Sequence, residues 1–262
     1  MLLRQPAVAG LFYPASAKEL EAMLDALFSK AQGTPDAAMK ALIAPHAGYI
    51  YSGPTAAAGY ARWRNGTVER VVLVGPSHRV AFTGLAAPTA EGFATPLGVV
   101  RVDRQAVDAL QRESRWVQQD DLAHAWEHSL EVQLPFLQRV FGQDFAIVPL
   151  VAGECPAEVI ADLLQPFWED PSSRIVISSD LSHYLPDAAA RKKDERTIAK
   201  ILEGKGPIAP EEACGCVGIN GLLALLARTP HRIALLDYRN SSDTAGDPDR
   251  VVGYASIGVW PQ

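Results

Sequence analysis

Apolar residues recur along this chain in two alternating rhythms. Runs at 41–45, 71–75, 145–151, 174–179, 232–238 and 251–260 are short, almost wholly apolar and bounded by turn residues, as expected of strands buried on both faces. Helical spacing follows most of them, at 103–113, 126–141, 157–168, 187–203 and 210–228. Upstream, Ser16 stands three residues before Glu19 as in a capping box, and Leu20, Met23, Leu24, Leu27 and Phe28 continue at helical spacing, which predicts a first helix over 17–31. Strands alternating with helices predict an α/β fold, a mainly parallel central sheet flanked by helices, in a single domain over residues 1–262. Residues 84–102 read instead as two short strands around a Glu-Gly turn, an insertion beside the main sheet. No repeat, low-complexity linker or domain boundary interrupts the pattern.

Composition narrows the function classes. A formal charge of −6 provides no basic field for phosphates, and no cluster of Lys and Arg is interleaved with aromatics, so nucleic acid is not an expected partner. No apolar stretch reaches the ~18 residues of a membrane span, and Gln5, Pro6 and Pro14 break the N-terminal segment where a signal peptide needs a continuous apolar core. A cytoplasmic protein is expected. The three cysteines form no framework; Cys214 and Cys216, two apart, would point to different faces of a helix, which argues against a two-thiolate metal clip.

Candidate chemistry lies where the apolar runs stop. "ALIAPH" ends in His46, "RVVLVGPSH" in His78, and "RIVISSDLSH" in Asp180 and His183. Parallel strands lie ~4.8 Å apart with their C-terminal ends on one edge, the edge at which α/β proteins bind ligands, so these side chains can converge. Two imidazoles and a carboxylate on one face form a metal site with open positions. The third ligand is sought in "YRNSSDTAGDPDR", where Asp243 is preferred to Asp247 because it comes sooner after the strand; an aspartate bonding its own turn is the competing role. Tyr49 and Tyr51, next to His46, are candidates for the pocket wall. In "DLAHAWEHSLEVQLPF", His124, Glu127 and His128 spell H-x-x-E-H, a zinc-peptidase pattern that needs both histidines on one helix face. Because Asp121 and its successors read as a loop entering a helix, His124 and His128 are assigned instead to the substrate-facing surroundings.

The motifs "GLFYP", "APHAGYIYSG", "VGPSH", "EHSLEVQLPFL", "SSDLSHY", "ACG" and "NSSDTAGD…RVVGYASI" occur in an order and at separations that resemble the Memo-like family from about residue 5 to 259. That family is similar in fold to the class III extradiol ring-cleavage dioxygenases, in which two histidines and a carboxylate hold a non-haem iron and a further histidine is the acid/base. The resemblance implies metal ligands at His46 and His78, with Asp180 and His183 as catalytic groups. In the animal proteins a cysteine occupies the segment matching "NSSDTAG"; Asp243 here suits iron(II) better than copper. The implied function is an oxidoreductase activating dioxygen beside a small aromatic or phenolic substrate, with Fe(II) expected and copper or zinc as alternatives. The same pocket used as a peptide or small-ligand binding module is the second expectation, and a zinc-dependent hydrolase using His124, Glu127 and His128 the third. AMMECR-type and radical-SAM proteins, the companions in the bacterial AmmeMemoRadiSam grouping, are the partners the resemblance implies.

Overall fold

The structure, a computed structural model, describes all residues 1–262. Five parallel strands form the centre of one sheet, in the order Gly98–Val102, Ala146–Ala152, Arg70–Pro76, Ser173–Ser178 and Ala41–Ala44. Ala41–Ala44 and Ser173–Ser178 are buried at every position. That is the physical reason for their unbroken apolar character: helices cover both faces of a parallel sheet and leave no polar side. The long strand Val251–Pro261 joins antiparallel to Ala41–Ala44 and carries His231–Asn240 and the short His183–Leu185. The α/β architecture read from the sequence is therefore the one observed.

Helices Ala17–Lys30, Tyr49–Tyr60 and Leu134–Phe141 pack together, as do Ala157–Glu169 and Cys216–Leu226. Successive strand residues point to opposite faces, and Ile177 lies under Gly218 of the second group while Ser178 bonds Gln133 at the start of the first. The two groups therefore cover opposite faces. No helix is long and apolar enough to cross a membrane.

Three elements differ from the sequence pattern. Tyr49–Tyr60 is a helix that the pattern does not reveal, because it is buried nearly all round by Tyr, Ala and Gly and so shows no polar stripe. Within 84–102 there are three strands, Leu85–Ala87, Gly92–Thr95 and Gly98–Val102, and the hairpin turns at Pro96–Leu97 rather than at Glu91–Gly92. Pro96 cannot donate to a ladder, and Thr95 Oγ1 closes the turn by accepting the Leu97 N–H. Finally, the expected helix over 126–141 is broken. A short helix Asp121–Ala125 stops, residues 126–130 run irregularly, and helix resumes only through Glu131–Gln133 into Leu134–Phe141.

That break positions the site. Ala44 pairs with Ser178 and Val74 with Ile177, so the strands leave the sheet at one edge, with His46, His78 and Asp180 each two residues past a strand end. The irregular loop lies across the same edge. Gly75 makes room for it: a Cβ there would meet Ser129 Oγ at 2.7 Å and Leu130 Cδ2 at 2.8 Å.

Candidate metal centre

His46 is 2% exposed, and its surroundings determine which nitrogen is free. Ser178 Oγ has one proton, which it donates to the carbonyl of Ser129 at 2.6 Å, and it accepts from Gln133 Nε2 at 2.9 Å. Its contact with His46 Nδ1 at 2.7 Å must then be an imidazole N–H donating to the hydroxyl. Nε2 of His46 is left with its lone pair. The backbone N–H of His46 donates to Asp180 Oδ1 at 2.8 Å, tying two strand exits together.

His78 is fixed by Glu127, a carboxylate with 2% exposure. Glu127 accepts the backbone N–H of His78 at 2.6 Å, its ring Nδ1–H at 2.9 Å, and the backbone N–H groups of His128 and Ser129, each at 2.9 Å. Those last two bonds turn the chain out of the helical path. Burial alone would raise the Glu127 carboxyl, but the ring bond and charge of His78 and these backbone donors outweigh it and hold the group down to about 2. An acceptor that stays ionised keeps the proton on His78 Nδ1 and leaves Nε2 free, the support typical of metal-bound histidine.

His128 is thereby placed face to face with His78, ring centroids 4.7 Å apart at 18°, and edge-on to His46 at 5.4 Å. Phe12 covers its other side at 4.7 Å, held by a network in which Glu131 accepts from Arg4, Tyr13 Oη and the backbone of Ala7 and Val8. One ring nitrogen from each of His46, His78 and His128 lies within 4.8 Å of the others, a group that could hold a metal ion. Burial, then the neighbouring rings of His78, His128 and His183, push His46 well below the usual histidine range. Burial, opposed by Glu127 and reinforced by His78 and Arg79, takes His128 down to about 4. Both rings are therefore neutral at pH 7, and an all-imidazole donor set would suit zinc, copper, iron or nickel.

The three rings form the floor of a cleft of ≈ 610 Å³ that is also lined by Phe12, Tyr51, Asp180, His183, Tyr184 and Tyr254. Of the expected residues, His46, His78, Asp180, His183, Tyr51 and His128 meet here, His128 inside the donor group rather than on the substrate side. Three do not. Asp243 is a correction: its Oδ1 accepts from Arg191 at 2.7 Å and its Oδ2 from the Asn240 backbone at 2.9 Å, closing a capping box over Ser241–Asp243. The readable signal was Asn240 three residues ahead of it. His124 is buried away from the cleft, Nε2 on the Ala86 carbonyl at 2.9 Å, and its helix ends at Ala125, so H-x-x-E-H does not share one helical face. Tyr49 is buried with its hydroxyl on the Val132 carbonyl at 2.7 Å and supports the floor from below.

Asp180 and His183 complete the electrostatics. Burial pushes Asp180 up to about 7 against the His46 backbone bond and the His78 charge. Burial is also the main cause that lowers His183, offset by a bond involving Leu181. Tyr184 has φ +60°, a conformation bulky residues rarely adopt, and there the strand pairing shifts register. Its ring is turned out to the mouth of the cleft beneath Arg250, 5.1 Å from the guanidinium carbon.

The family model for Memo-like protein matches residues 4–258. A MEMO1 family protein of Aquifex aeolicus is 39% identical, the alignment covering 98% of this chain and 99% of that protein. Another from Methanopyrus kandleri is 38% identical over 97% of this chain and 98% of its own. Among solved structures, an uncharacterized Escherichia coli K12 protein, JW3007, superposes with a TM-score of 0.53 at 15% identity over 84% of this chain and 99% of its own, a likeness of fold alone.

Proposed function

Because this chain belongs to the Memo-like protein family, we propose that its three-histidine cleft is a non-haem metal centre that oxidises a small phenolic or other aromatic substrate with dioxygen. The observation that carries the reading is the convergence of His46, His78 and His128 at the floor of an open cleft whose other groups can bind a ring and move a proton. Iron(II) is the first choice and copper the second. A zinc site serving structure alone would have no use for the adjacent Asp180 and His183. The ion would supply Lewis-acid and redox chemistry at the cleft floor.

The chain's own residues do the rest. Ser178 and Glu127 hold His46 and His78 through Nδ1 and leave each Nε2 without a proton, so little reorganisation accompanies binding. Tyr51, Tyr184, Tyr254 and Phe12 offer aromatic walls to a flat substrate. His183, lowered and half-buried, accepts a phenolic proton at neutral pH. Asp180, poised near 7, holds or returns a proton beside His46.

The test is anaerobic purification, reconstitution with Fe(II), and oxygen uptake with a panel of catechols, alongside the His46→Ala/His78→Ala double variant. The expected result is about one iron per chain, lost in the variant, with substrate-dependent uptake that falls about 100-fold or more in His183→Ala. Tight metal binding without uptake on any phenol would contradict the oxidase reading and turn the pocket into a binding module.

A further inference from the structure

At the edge of the sheet opposite the histidines stand two buried cations. Lys40 comes just before Ala41–Ala44 and Arg174 near the start of Ser173–Ser178, and they are 4% and 8% exposed. Both donate to one oxygen, the Ser173 carbonyl, Lys40 Nζ at 2.6 Å and Arg174 Nη1 at 2.8 Å, which makes their charges neighbours. Their other partners are backbone carbonyls too, that of Asp170 for Lys40 and those of Pro171 and Ala37 for Arg174. Neither is paired with a carboxylate. Asp170 gives its side chain to Arg70, Ser172 and Ser173, and Glu169 accepts from Gln165. Burial, then the charge of Arg174, holds Lys40 down to about 8 against the pull of Asp170.

Both cations line a cleft of ≈ 500 Å³ together with Trp168, Thr229 and Pro230. Donors remain there. With three N–H groups on lysine and five on arginine, one N–H of Lys40, the Nε–H of Arg174 and one Nη2–H are left over. Arg174 Nε and the Thr229 hydroxyl are buried without any partner. A buried donor left unpaired is costly, and in a native protein it points to a water or an ion. Because lysine and arginine only donate, their partner must be an acceptor, and two like charges sharing one carbonyl select an anion.

We infer that this cleft binds a small organic carboxylate, whose oxygens pair with Lys40 and Arg174 while its apolar part lies against Trp168 and Pro230. Arginine's planar fork matches a carboxylate, and the indole and proline offer apolar surface to the attached carbons. Glu169, which also lines the cleft, repels a second negative charge and so favours a monocarboxylate over phosphate. The site is independent of the histidines, which follow the other ends of the strands.

The experiment titrates the metal-free full chain calorimetrically with acetate, butyrate and inorganic phosphate, in a buffer free of other oxyanions. Butyrate should bind about threefold or more tighter than acetate, phosphate more weakly than either, and Arg174→Gln should weaken butyrate about tenfold or more. The His46→Ala/His78→Ala double variant should bind butyrate as the wild type does. No butyrate binding, tighter binding of phosphate, or equal butyrate affinity in Arg174→Gln overturns the inference. So does loss of butyrate binding in the histidine variant, which would put the anion at the other edge. Arg174 also ties the carbonyls of Ala37, Pro171 and Ser173, so should Arg174→Gln fail to fold, the wild type decides. Reductive methylation of Lys40, mapped by mass spectrometry, should slow about tenfold under saturating butyrate; a Lys40 closed to the reagent, or labelled equally with butyrate present, overturns the inference.

Discussion

Two buried carboxylates flank the histidine cluster, Glu127 beside His78 and His128 and Asp180 beside His46. Glu127 is held down to about 2, whereas Asp180 is pushed up to about 7. Burial raises both, so the difference lies in what each accepts. Glu127 takes N–H bonds from His78 twice, His128 and Ser129. Asp180 takes the backbone bonds of His46 and Ala47. Four donors fix one carboxylate as a permanent anion that shapes a loop and orients His78; fewer leave the other able to carry a proton at neutral pH. Support and chemistry are thus divided between two groups of the same type.

The sharpest way to break this contrast is Glu127→Ala. It strips the acceptor from His78, His128 and Ser129 at once, and should weaken metal affinity about 10–100-fold and cost about 3 kcal/mol of stability, read by metal titration and by denaturant unfolding. Asp180→Asn should cost below about 1 kcal/mol because its amide oxygen still accepts the His46 N–H. Its mark is in pH dependence. With its folded value raised from 3.8 toward 7, Asp180 holds its proton in the folded state while the unfolded chain has lost it, so its contribution is present at low pH and fades as pH rises from about 4 to about 7. Glu127, depressed when folded, contributes above the unfolded carboxylate range and loses that contribution as pH falls through about 4 toward 2. Unfolding curves from pH 4 to 8 should show wild type losing stability relative to Asp180→Asn; parallel curves would put the Asp180 carboxyl at its ordinary value. The smallest effect belongs to His124→Gln, which should leave metal content unchanged, since that ring binds Ala86 away from the cleft.

Much of this arrangement was legible in the chain. The apolar runs before His46, His78 and Asp180 belong to adjacent parallel strands, so counting two residues past each end already brings them to one edge. His128 was harder, because apolar spacing continues across 126–141 and nothing local announces the break. It comes from Glu127 giving its oxygens to a strand exit far away in sequence, over a strand opened by Gly75. Asp243 lies as close to a strand end as a ligand would, although Asn240 and Asp243 already spell a cap. What the pattern misses at His128 is the backbone N–H of His78 satisfied by a side chain distant in sequence.

The group that could hold an ion is three histidines, not two histidines and Asp243. Metal content after Fe(II) reconstitution, compared between His128→Ala and Asp243→Ala, tests it most directly. His128→Ala should lose the ion while Asp243→Ala keeps about one per chain. Iron retained without His128 and lost without Asp243 would contradict it.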